Sequence, residues 1–130
     1  MSDVYRIAAV GDLHCYEETV DFFRYSFSEL NKKADSLFLC GDLTRRGKMH
    51  EIEIFLTELA EVEIPAFAVM GNHDYHEKNQ LRFQATLERA GVIVLDGNSY
   101  TLKVRNFTVG IAGTKGFAGG FGLRALPDFG

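Results

Sequence analysis

Three short segments of this chain carry residue types able to do chemistry: Gly11-Asp12-Leu13-His14, Gly41-Asp42-Leu43 and Gly71-Asn72-His73-Asp74. Each closes an apolar run that reads as a strand, and the spacing between them is regular (42 − 12 = 30, 72 − 42 = 30). The carboxylates of Asp12 and Asp42, the imidazoles of His14 and His73 and the amide of Asn72 are thereby gathered at the ends of successive strands. Hard and borderline divalent cations take that mixture of oxygen and nitrogen donors. A single Gly-Asp after a strand is an ordinary turn with Asp capping a helix, and Asn72-His73-Asp74 alone reads equally as a turn and N-cap. Three such segments in this order favour a metal site.

The chemistry follows from the donors. Two cations about 3.5–4 Å apart clamp a phosphate, lower the pKa of a shared water to near neutrality and stabilise in-line displacement. Asp12 and His14 alternate about Leu13, so from an extended segment both side chains point the same way. Asp42 can bridge two cations with its two oxygens, and Asn72 offers a neutral amide oxygen. His73 follows a ligand directly and is placed to protonate a leaving-group oxygen, a role generally contributing about 10²–10⁴-fold. Asp74 is read as its catalytic partner, orienting or charge-stabilising the imidazole. His50 and His76 fall near expected helix starts and read as surface residues. Cys15 and Cys40 flank the segments but sit among oxygen-rich donors, so they read as buried, reduced thiols rather than ligands.

The elements that must position these groups are legible as alternating periods. Tyr5 to Val10, Ser36 to Cys40 and Ala66 to Met70 are apolar runs of the kind that form strands buried on both faces. Val20, Phe23, Phe27, Leu30 and Ala34 recur at helical steps, with Lys32 and Lys33 in the last turn. Further helices are predicted over roughly residues 48–62 and 77–90, the last followed by Gly91 as a C-terminal cap. The order βαβαβα predicts an α/β fold with a parallel sheet. Val92 to Leu95, Tyr100 to Val104 and Thr108 to Ala112 then predict short mixed or antiparallel strands. The Gly- and Phe-rich stretch from Gly116 to Gly122 lacks a following Lys-Ser/Thr and reads as a loop rather than a phosphate cradle.

Bulk properties bound the rest. The 130 residues suit one domain, and a net charge of −4 removes the general electrostatic footprint of a nucleic-acid binder, leaving nucleic acid as a substrate only. Arg45, Arg46 and Lys48 form the one basic cluster, read as a solvated loop or a local attraction for an anionic substrate. The start of the chain has no signal-peptide pattern, and no segment approaches the ~20 apolar residues of a membrane span, so a cytoplasmic location with no membrane partner is expected.

Asp12-x-His14, Gly41-Asp42 and Gly71-Asn72-His73-Asp74 resemble the first three motifs of the calcineurin-like metallophosphoesterases, over roughly residues 5–75. The resemblance implies the first half of a four-layer αββα sandwich and two divalent metal ions (Mn, Fe or Zn). It places Asp12 and His14 on one ion, Asp42 between them, Asn72 on the other and His73 in catalysis. The family completes its site with a later Gly-His and a Gly-His-x-His motif. The 4 histidines here stand at positions 14, 50, 73 and 76, so neither motif is present. The expectation is an N-terminal portion of a longer enzyme. Residues 1–113 belong to its domain, and residues 114–130 form an irregular Gly/Phe-rich loop at a truncation point.

The expected function is metal-dependent hydrolysis of phosphomonoesters or phosphodiesters, weak or absent in this chain by itself. The alternative is a non-catalytic, metal-responsive binding or scaffold module. A half-domain leaves a raw sheet face, so a homodimer through that surface is the expected protein partner. A nucleotide-binding module comes third, because the first turn lacks Gly-x-Gly-x-x-Gly.

Overall fold

The apolar runs become the strands of one parallel sheet. The computed structural model describes residues 3–115 and 122–124. Within it Ile7–Val10 (β1), Ser36–Cys40 (β2), Ala66–Val69 (β3) and Ile93–Val94 (β4) pair side by side in that order, each parallel to the next. Arg24–Lys33 (α1), Met49–Glu58 (α2) and Gln80–Arg89 (α3) connect them. Asn98–Val104 (β5) and Phe107–Gly113 (β6) form a separate antiparallel hairpin. The run at 92–95, expected to begin the mixed or antiparallel part, is instead the fourth parallel strand. Helix α3 returns the chain to the end of the sheet where β3 began, so the next strand must run the same way. No helix is long and apolar enough to cross a membrane among the described residues.

Strand alternation sorts the side chains into two apolar layers. Leu37, Leu39, Ala66, Ala68 and Val94 face the helices, where they pack with Phe27, Ile52, Phe55, Phe83 and Leu87. Phe67 and Leu95 face the hairpin and pack with Ile111, flanked by Phe38, Val69, Ile93, Leu102 and Val109. The layers are therefore helices, parallel sheet and hairpin. Phe55 and Phe83 are completely buried, and each such side chain contributes about 1.5–3 kcal/mol by leaving water. Cys40, expected inside, is exposed. It shares the parity of Phe38 and so lies on the hairpin side, at the far end of β2. Most of the Gly/Phe-rich stretch, residues 116–121 and 125–130, lies outside the described residues, and Gly122–Arg124 form one 3₁₀ turn.

The first helix starts later than its apolar stripe predicts, at Arg24, after a 3₁₀ turn over Glu17–Thr19. The cause is a carboxylate from another helix. Glu58 of α2 is fully buried and accepts the backbone N–H groups of Asp21 at 2.6 Å and of Phe23 and Arg24 at 2.8 Å each. A buried acceptor of orphan N–H groups does the work of an N-cap here.

The hairpin is tied to the sheet at its turn. Arg105 forms an ion pair with Asp35, just before β2, and also donates to the Val4 carbonyl at 3.0 Å. The Arg105 guanidinium, helped by the Arg6 N–H, holds the Asp35 carboxyl down to about 2, below its ordinary 3.8. A lowered carboxyl stabilises fully above its ordinary value and loses that contribution as pH falls through the folded value. The thermal midpoint of the wild type should therefore exceed that of Asp35→Asn at about pH 6 and converge with it between about pH 4 and pH 2. A difference that stays constant over that range would refute the assignment.

Candidate metal centre

The three segments sit at the carboxyl ends of β1, β2 and β3, and backbone bonds stack them on one another. Parallel pairing continues past the strands: Asp12 N donates to Gly41 O at 3.1 Å, His14 N to Asp42 O at 2.9 Å and Cys15 N to Leu43 O at 3.0 Å. The third loop presses on the second so closely that a Cβ on Gly71 would overlap the Asp42 carboxylate and its backbone nitrogen. Only glycine fits there. Asp12, His14 and Asp42 all adopt left-handed backbone, with φ of 57°, 47° and 50°. The extended Asp12-Leu13-His14 segment expected from alternation is thus replaced by a turning one that follows the ladder to the second loop. Such a conformation costs about 1–2 kcal/mol per residue and persists only where surrounding contacts dictate it.

Ligand atoms of His14, Asp42 and His73 lie within 4.8 Å of one another, all three residues half-buried. Asp12 joins them, its Oδ1 lying 3.8 Å from His14 Nε2. The His14 ring meets the His73 ring edge-on at 4.5 Å. The His73 backbone N–H donates to Asp42 Oδ1 at 3.0 Å, and its ring Nδ1 lies 2.8 Å from the Arg45 carbonyl. A carbonyl can only accept, so Nδ1 carries the hydrogen and Nε2 is the nitrogen left to act. Among the described residues neither Asp12 nor Asp42 pairs with a Lys or Arg. An imidazole beside unneutralised carboxylates offers donors that fit a borderline divalent cation, and a second imidazole, its Nδ1–H held by a backbone carbonyl, stands oriented beside them. Asn72 is half-buried at the head of the 3₁₀ turn His73–Tyr75, where its carbonyl accepts from Tyr75 N at 3.1 Å.

Asp74 does not reach the His73 ring. It is fully buried, and its carboxylate accepts four bonds: Thr44 Oγ1 at 2.7 Å, Thr44 N at 2.8 Å, Gly71 N at 2.9 Å and Leu43 N at 3.2 Å. Burial pushes its carboxyl up, and the four donors pull against that shift. The group that orients the imidazole is the Arg45 carbonyl, which nothing in the sequence marks. Thr44 is likewise silent in the sequence, although Gly71, as part of the Gly-Asn-His-Asp segment, is not.

The remaining candidates fall around this centre. Cys15 is buried, and that burial pushes its thiol up to about 12, so it is a neutral packing group and not a thiolate ligand. His50 is exposed and pairs with Glu17. His76 is exposed too, but stacks on the His73 ring. Of the basic cluster, the Arg45 guanidinium covers the Tyr16 ring at 4.5 Å, while the backbone N–H groups of Arg46 and Lys48 donate to Glu51 at 2.8 and 3.2 Å.

Residues 5–122 match the calcineurin-like phosphoesterase family, and the chain belongs to that family. A symmetrical bis(5'-nucleosyl)-tetraphosphatase from Nitrosococcus oceani is 39% identical over 74 residues, which take in 54% of this chain and 24% of that protein. The chain therefore spans about a quarter of the length of the curated relative it matches. No solved structure matches it.

The Asp74 geometry makes a specific demand. In Asp74→Asn one oxygen can still accept from Thr44, but an amide NH₂ then faces the N–H groups of Leu43 and Gly71. Leaving buried donors opposed in this way should cost about 2–4 kcal/mol. Urea unfolding should read that loss, and a variant as stable as the wild type would show that the carboxylate does not hold the loops together.

Proposed function

We propose that this calcineurin-like phosphoesterase chain carries part of the centre of a metal-dependent hydrolase acting on phosphomonoesters or phosphodiesters. The observation that best supports this reading is the approach of His14, Asp42 and His73, from three successive strand ends, to within 4.8 Å. Asp12, His14, Asp42 and Asn72 would hold two divalent cations (Mn, Fe or Zn), with Asp42 shared. When bound, the cations supply a nucleophilic water near neutral pH and neutralise charge on the phosphoryl oxygens. The chain's own residues supply orientation and a proton. His73 is anchored through Nδ1–H on the Arg45 carbonyl, which leaves Nε2 as the nitrogen that would carry the proton given to the departing oxygen. Asp74 acts at one remove, by fixing the loop that carries Asp42 and Arg45. The activity that names the bacterial relative adds nucleotides joined through phosphates to the first substrates worth trying. Free thiols at Cys15 and Cys40 suit a reducing, cytoplasmic setting.

The chain as given should bind Mn²⁺ weakly and turn over bis(4-nitrophenyl) phosphate slowly. Asp42→Asn should weaken Mn²⁺ binding by about tenfold or more, read by calorimetry. Binding indifferent to Asp42→Asn would remove the metal assignment. Efficient turnover by this chain, abolished by Asp42→Asn, would remove the part-site assignment while keeping the metal.

A metal-responsive, non-catalytic module is the second reading, and one surface feature lets the two be told apart. The hairpin leaves an apolar groove against the sheet, lined by Phe38, Cys40, Phe67, Val69 and Ile111, with Ile7 half-exposed at the β1 edge. Sedimentation velocity separates the two readings. A closed dimer that forms with Mn²⁺ supports the module, whereas open-ended, concentration-dependent association supports a half-domain with a raw face.

A further inference from the structure

His76 is read from sequence as a surface residue, and it is exposed, yet its ring is not free. It stacks on His73 with centroids 4.9 Å apart and planes 29° from parallel. The local backbone is the cause. His73–Tyr75 form a 3₁₀ turn that His76 closes, its N–H donating to the His73 carbonyl at 3.2 Å. A 3₁₀ turn repeats every three residues, so side chains at i and i+3 eclipse. The same period sends Asp74 inward, where it is buried. No hydrogen bond or ion pair engages the His76 ring among the described residues; the stack is its contact.

We infer that His76 is a positioning residue for His73. The torsion that turns an imidazole about its Cβ–Cγ bond is broad and roughly two-fold, so a half-buried ring needs outside contacts to choose one orientation. His73 has three: the Arg45 carbonyl on Nδ1, the edge-on contact with the His14 ring, and the His76 face. The carbonyl bond fixes which nitrogen carries the hydrogen, but a single bond on a rim open to water competes with solvent. The stacked ring covers a face of His73 and restricts the half-turn that would break the carbonyl bond. His76 thereby acts through His73 and touches no reacting group itself.

This inference rests on the proposed role of His73, but its test does not. Ring ¹⁵N shifts of the metal-free full chain, recorded at about pH 8 where imidazoles are neutral, give the ratio of Nδ1–H to Nε2–H in His73. The wild type should show mainly the Nδ1–H form. In His76→Ala that ratio should fall by about three- to tenfold, the weight of one aromatic contact, and in His76→Phe it should return to within about twofold of the wild type. The amide signals of Leu43 and Thr44, both bonded to Asp74, should stay unchanged in the two variants, which separates ring orientation from loop integrity. An unchanged ratio in His76→Ala overturns the inference, and so does a His76→Phe variant that behaves like His76→Ala. Loss of the phosphoesterase reading would appear in Mn²⁺ binding and turnover, and would leave these ring signals where they are.

Discussion

The centre depends on one buried carboxylate. Asp74 receives four donors from two loops, and those bonds are what allow the ends of β2 and β3 to lie in contact. A carboxylate taken out of water is costly unless its acceptor sites are filled, and here filling them requires the second loop to wrap around it. Once that loop is fixed, much else follows. Asp42 is directed at the His73 N–H, the Arg45 carbonyl meets the His73 ring, and the first loop extends the parallel ladder by pairing with Gly41, Asp42 and Leu43. The left-handed backbone at Asp12, His14 and Asp42 is strain that this network sustains.

Much of the framework is written in local pattern. The Ser36–Cys40 strand emerges as read, and the strands ending before Gly11 and Gly71 lie within the runs that predicted them. What the pattern lacks are effects that act across the fold. The start of α1 is decided by Glu58, more than thirty residues away (58 − 24 = 34), so no reading of residues 20–24 could place it. The short β4 strand, two residues long, has no period to reveal, and its direction comes from the helix before it. Cys40 illustrates the opposite case. Its side of the sheet follows from alternation with Leu39, but its exposure depends on how far the hairpin reaches over that face.

The site was legible by residue type more than by role. Asp12, His14, Asp42 and His73 do converge, because strand ends in a parallel sheet share one edge. Asp74 shows the limit of adjacency. Next to His73 in sequence, it is turned inward by the 3₁₀ period and serves the neighbouring loop instead of the imidazole. His76, three residues on, is brought back over His73 by the same period. One local geometry thus explains why an adjacent carboxylate is lost to the ring and a more distant imidazole is gained.

Charge completes the argument. Asp12 is mostly open to water, its side chain 79% exposed, and Asp42 takes a backbone N–H but, among the described residues, no cationic side chain. The nearest guanidinium along the second loop, that of Arg45, is occupied over the Tyr16 ring. Two carboxylates with no Lys or Arg partner among the described residues make the approach of a phosphate ester unfavourable until positive charge arrives. A fold selected only for stability would gain by replacing strained, like-charged Asp12 and Asp42 with glycine or asparagine, both at ease in left-handed backbone. Left-handed backbone by itself does not mark the site, since Asp21 and Arg105 share it elsewhere in the fold; what sets Asp12 and Asp42 apart is their place beside the imidazoles of His14 and His73, which with Asp42 form a group able to hold a cation.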